Sequence, residues 1–109
     1  MLNYDKDTGA MSIIAKDTGD FVLSLNNYIL SEGDVIYFTV NDELEHPEPK
    51  IQKRITTFEG NKALVRLTAE DTNLEIGNNY YDVEVNTIDG RVDTVLGPAK
   101  FKVAGGVKY

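Results

Sequence analysis

The chain contains no cysteine and no tryptophan, one histidine and three prolines. Without cysteine there is no disulfide, no thiolate metal site and no cysteine nucleophile, so the apolar core must hold the fold by itself. Apolar residues nowhere run long enough to cross a bilayer. The opening Met1-Leu2-Asn3-Tyr4-Asp5-Lys6-Asp7 lacks the basic and apolar blocks of a signal peptide, and none is expected. Positive charge is scarce as well. Eleven basic against 18 acidic residues give a formal net charge of −7, which argues against nucleic acid and against anionic membranes as partners. Solubility is the simpler reading of that charge than an acidic docking surface.

What is present is alternation. The 109 residues suit one domain with one core, and short runs of period two recur between turn residues. Residues 12–15 form a first short strand. Phe21, Leu23 and Leu25 alternate with Val22, Ser24 and Asn26. After a loop at Ser31-Glu32-Gly33-Asp34, Ile36, Phe38 and Val40 face one way and Val35, Tyr37 and Thr39 the other, as in a central strand covered on both sides. Pro47 and Pro49 make the segment around His46 a loop. Ile51 and Ile55 with Lys53 between them read as an edge strand guarded by its lysine. Glu59-Gly60-Asn61-Lys62 is a tight connection to Ala63, Val65 and Leu67.

Residues 70–77 break the pattern and read as a crossover between sheets, with one helical turn capped by Asp71 or Thr72. Tyr81, Val83 and Val85 then face inward. Asp89-Gly90 marks a hairpin with a type I′ turn, and Gly97-Pro98 kinks a last strand that runs on through Phe101 and Val103. This is the profile of an all-β, antiparallel sandwich of about seven strands, with a closed barrel as its competitor. Residues 1–104 form the domain and 105–109 a flexible tail. Lys6-Asp7-Thr8-Gly9 recurs as Lys16-Asp17-Thr18-Gly19, which reads as reuse of turn chemistry rather than an architectural repeat.

Catalytic constellations are weak. His46 stands among Glu43, Glu45 and Glu48 with no second histidine to share a metal, and a solvated loop histidine accounts for it. Asp82 with Glu84, or Asp89 with Asp93, would have to face one cleft in different environments to hydrolyse anything. Asp82 and Glu84 project from one strand face and are expected in water. Asp71, Asn73 and Glu75 resemble the start of a calcium loop, yet the turn glycine and the bidentate glutamate are missing. No catalytic residue, metal or cofactor is expected. Tyr28, Tyr37 and Tyr80 remain as candidate surface-contact rings, with ordinary strand tyrosines as the plainer reading.

Ordered segments then suggest a family. Ala15-Lys16-Asp17-Thr18-Gly19-Asp20-Phe21, Gly33-Asp34-Val35-Ile36-Tyr37-Phe38-Thr39-Val40, the run from Asp71 through Gly77 to Val83, and Asp89-Gly90-Arg91-Val92-Asp93-Thr94-Val95 with Gly97-Pro98 and Phe101-Lys102-Val103 together resemble the N-terminal immunoglobulin-like domain of phage baseplate upper proteins. The resemblance implies an immunoglobulin-like fold and a non-enzymatic structural module of a phage or prophage tail. Such a module is made in the bacterial cytoplasm and holds other tail or baseplate proteins. Separately, open sandwich edges allow weak self-association, while the polar loops and high charge suit an isolated monomer. One position departs from the family. Asn79 stands where the family has its tyrosine-corner residue, and Tyr81 matches the second family tyrosine, so the corner bond is absent or supplied by Tyr80. The alternative from another class is an immunoglobulin-like module that binds glycans or a cell surface through the exposed tyrosines. A hydrolase is the least supported reading.

Overall fold

The structure is a computed structural model that describes residues 2–25, 28–42 and 48–106. His46, with Glu43 and Glu45, lies outside the described residues, as do the last three positions of the expected tail. The described residues form eight strands and no helix: β1 (Asn3–Tyr4), β2 (Met11–Ile14), β3 (Gly19–Ser24), β4 (Val35–Asn41), β5 (Ile51–Ile55), β6 (Lys62–Leu67), β7 (Gly77–Asn86) and β8 (Val92–Ala104). One sheet has the order β1-β2-β8-β7-β4-β5, and β3 and β6 form a second, two-stranded sheet. The chain is all-β, as its period-two runs require.

The two sheets share one core, and alternation decides what enters it. Ile36, Phe38 and Val40 from β4, Val83 and Val85 from β7, and Phe101 and Val103 from β8 are completely shielded, and Leu23, Val65 and Leu67 meet them from the small sheet. Phe38 is the hub. Its ring lies 5.3 Å from that of Phe21 in an edge-to-face contact that joins the two sheets, and 5.6 Å from Tyr81 and 6.3 Å from Phe101 within the large one. The other face of β4 carries Val35, Tyr37 and Thr39, which are half-buried, so this strand is covered on one side only.

The sheet is mixed, which corrects the expectation of an antiparallel one. β2 runs parallel to β8, with Met11 opposite Phe101 and Ile13 opposite Val103. Ala15 N–H extends this ladder to the Ala104 carbonyl at 2.9 Å. Lys16, at φ 69°, then turns the chain towards the small sheet. Alternation reports which face a residue takes and carries no information on strand direction, so a parallel closing pair leaves no mark in the pattern. The repeated tetrapeptide is likewise used in two ways. Its first copy lies in a turn closed by Gly9 N–H to Asp5 C=O at 2.7 Å, and the second ends with Gly19 opening β3.

The crossover after β6 forms one turn but no helix, and its cap differs from both expected residues. Thr68 N–H donates to Asp71 Oδ2 at 2.7 Å and Asp71 N–H to Thr68 Oγ1 at 3.1 Å, a reciprocal box in which Thr68 caps. Thr72 is fully buried, and its hydroxyl donates to the Asp17 carbonyl at 2.6 Å while Lys16 N–H donates to the Thr72 carbonyl at 3.2 Å. The two crossovers are thereby stitched together. Lys53 ion-pairs with Asp71 at 2.6 Å from β5, which is an edge strand as its lysine suggested.

The β7–β8 hairpin has register shifts around Val83, where Gly97 and Pro98 stand opposite Asp82, and the peptide between them is cis. β2 pairs with β8 only from Phe101 onward, so Pro98 sits where that side of the strand is open. Gly97 has φ +82°, and a Cβ there would come within 2.5 Å of the Tyr81 carbonyl oxygen. No residue but glycine fits this approach. The turn is not type I′, because Gly90 has positive φ and Asp89 does not. Gly90 N–H closes on the Thr87 carbonyl at 3.0 Å, and Thr87 N–H on the Arg91 carbonyl at 2.9 Å, a three-residue loop with glycine in the left-handed position.

Candidate interaction site

Two loops meet at one end of the fold: residues 28–34 before β4, and residues 87–91 between β7 and β8. Aspartate and glycine at 31–34 favour a turn, and one forms with Asp34 N–H donating to Ser31 C=O at 3.0 Å. The Asp34 carboxylate then does more than close its own turn. Oδ2 accepts Ser31 N–H at 2.8 Å, and Oδ1 accepts Ile88 N–H from the opposite loop at 2.9 Å. Asp34 is 3% exposed, a buried carboxylate satisfied by two amides.

The second tie is Tyr28. Its hydroxyl donates to Asp93 Oδ2 at 3.0 Å, and the same oxygen pairs with Arg91 Nη2 at 3.0 Å. Burial, then the Asp93 carboxylate as hydrogen-bond partner and neighbouring charge, raise the Tyr28 pKa above the usual phenol value. Thr87 braces the hairpin tip: its hydroxyl donates to the Asp89 carboxylate and accepts Arg91 N–H at 2.9 Å. That hydroxyl, the largest influence, holds Asp89 below the ordinary carboxylate value.

On this braced end two large apolar side chains are left in water. Ile29 is 88% exposed and Ile88 73%. Both line a shallow depression of about 380 Å³ together with Tyr28 and Arg91. Side chains of this size bury area when a partner covers them, and rigid loops lower the entropy cost of being covered.

The three candidate rings are not assembled into one platform. Tyr28 packs its ring against the core beneath the loop end. Tyr37 is half-buried on the outer face of the large sheet, between Arg54 of β5 and Glu84 of β7. Tyr80 is exposed on the same face but pairs with Asn41, four positions along, roughly 13 Å away at strand rise. Tyr80, Pro98 and Lys100 border a separate depression of about 500 Å³. The hydroxyl that ties β7 to distant backbone is that of Tyr81, which donates to the Gly9 carbonyl in the loop before β2. Asn79 is buried with its Oδ1 unpartnered.

The carboxylates proposed for chemistry are spread out and engaged. Asp89 and Asp93 take separate donors, as described. Asp71 is occupied by Thr68 and Lys53. Partial burial raises its pKa, and Lys53 with the Thr68 amide and hydroxyl outweigh this, leaving it below the ordinary value. Asp82 and Glu84 are half-buried, against the expectation that they sit in water. Burial and then the Glu84 charge raise Asp82, whose Cα and Cβ lie against Gly97. Among the described residues no group of three or more His, Cys, Asp or Glu is arranged to hold a metal.

Sequence reasoning missed Asp34, Ile29 and Ile88. Asp34 looked like a turn former, and the only available signal for the isoleucines was an apolar residue inside each of two turn segments. Compared with family models, with curated proteins and with solved structures, the chain finds no match in any of the three.

Proposed function

We propose that this chain is an immunoglobulin-like sandwich serving as a non-enzymatic structural module of a phage or prophage tail, holding neighbouring virion proteins. The observation that carries a docking role is the loop end, where Asp34 fixes two loops and Ile29 and Ile88 stand exposed on them. The strand order supports the immunoglobulin-like part of the reading. β8-β7-β4-β5 follows the G-F-C-C′ order of such sheets, and β3 with β6 corresponds to B with E. The phage assignment rests on the ordered sequence resemblance, which spans most of the chain.

Asp89 and Arg91 both border the apolar pair, so the rim carries both signs of charge and the neighbour it suits has an apolar surface with a mixed polar border. Tyr28 supports this surface from beneath and is not itself a stacking platform. Mass spectrometry of purified phage particles tests the reading: the chain is expected in the particles in structural quantity, and its complete absence would sink the assignment. A screen with generic ester, phosphoester and glycoside substrates is expected to give no turnover.

A further inference from the structure

The small sheet has two open sides: among the described residues no strand pairs with the outer side of β3 or of β6. The phase of the β3–β6 ladder follows from Leu25 N–H donating to Asn61 C=O at 2.9 Å, one step beyond the Ser24–Lys62 pair. Leu23–Ala63, Phe21–Val65 and Gly19–Leu67 are therefore the hydrogen-bonded pairs. Asp20 and Val22 on β3, and Leu64 and Arg66 on β6, turn their backbone groups outward.

The edges are guarded unequally. Charged side chains blunt an exposed strand, and β5 carries Lys53 and Arg54 while β6 carries Lys62 and Arg66. The far side of the large sheet ends in β1, which is only two residues long. β3 has Asp20 alone. Beside it Val22, 59% exposed, stands in register with Leu64, 44% exposed, on the outer face of the sheet.

We propose that β3 pairs antiparallel with β3 of a second copy of this chain, about a two-fold axis at Val22. Each Val22 then gives its N–H to the carbonyl of the other, and Asp20 falls opposite Ser24 of the second copy, an uncharged residue. The result is a four-stranded sheet, β6-β3-β3-β6, whose outer face carries an unbroken row of Leu64, Val22, Val22 and Leu64. Charge permits this register and disfavours two alternatives. Moving the axis to Asp20 sets carboxylate against carboxylate, and the same operation on β6 about Leu64 sets Lys62 against Arg66. This pairing does not depend on which virion protein the loop end meets.

Because the chain has no cysteine, Val22→Cys introduces the only thiol. A hydrogen-bonded antiparallel pair holds its Cα atoms about 5.5 Å apart, within disulfide reach. The Leu64 positions of the two copies are three strand spacings apart, about 14 Å. On mild oxidation of the full chain at high concentration, Val22→Cys is expected to form a covalent dimer with unchanged circular dichroism, and Leu64→Cys to remain monomeric. In sedimentation, the wild-type chain is expected to show a monomer–dimer equilibrium that Val22→Lys weakens at least tenfold. Equal cross-linking at both cysteine positions, no cross-linking at either, or a wild-type chain that stays monomeric at the highest concentration reached would each overturn the proposal.

Discussion

Asp34 and Ile88 lie 54 positions apart in the chain and are joined by one hydrogen bond of 2.9 Å from the Ile88 amide to the Asp34 carboxylate. Through this contact a turn residue of one loop sets the position of an exposed apolar side chain on the other. Asp34→Ala would leave the Ser31 and Ile88 amides without their acceptor, at a cost of about 2–4 kcal/mol. Urea unfolding should record that loss, and hydrogen exchange should show faster exchange at Ser31 and Ile88 than in β4 or β7.

The second crossover depends on Thr72 in the same way. Its hydroxyl is buried and donates to the Asp17 carbonyl at 2.6 Å. Thr72→Val keeps the shape and removes the donor, so about 1–2 kcal/mol of stability should be lost in denaturant unfolding. Thr72→Ser, which retains the hydroxyl, should lose less of it through the bond and more through the missing methyl.

Gly97 has its own test. Alanine there would have to adopt φ +82° and push against the Tyr81 carbonyl and Asp82 Cα. Gly97→Ala should destabilise by at least about 2 kcal/mol, while Gly90→Ala, with open space around its Cβ position, should cost only the backbone strain.

Most of the core was legible from alternation. Ile36, Phe38, Val40, Ala63, Val65, Leu67, Tyr81, Val83 and Val85 all face inward as their spacing indicates. Strand direction was not legible, so the parallel β2–β8 pair went unseen, and β1 is too short and exposed to leave a pattern. Asp34, Thr68 and Thr72 belong to residue types that favour turns for local reasons. Their long-range or reciprocal partners exist only once the loops are folded against each other, which is why the wrong residue was expected to cap the crossover and why the loop clamp was missed. Tyr28, read as a surface ring, is instead held to the core side by Asp93.

Asp82 gives a pH signature of known sign. Burial and Glu84 raise its folded pKa above the unfolded value. The folded state therefore binds that proton more tightly, and a stability penalty grows as pH rises from the unfolded pKa through the folded one. Asp82→Asn should raise the Tm at neutral pH and lose this advantage in acid below the ordinary aspartate range. Asp71 works in the opposite direction: its pKa is lowered, its contribution is present above the unfolded value, and it fades as pH falls through the folded one. Asp71→Asn should lower the Tm at neutral pH and converge with the wild type in acid.

A cryo-EM reconstruction of the tail of the particle that carries this chain bears most directly on the docking role. The account predicts density for the domain with Ile29 and Ile88 covered by a neighbouring tail protein whose contact surface is apolar. A domain seated with that loop end facing solvent, or particles with no density for it, would contradict the account.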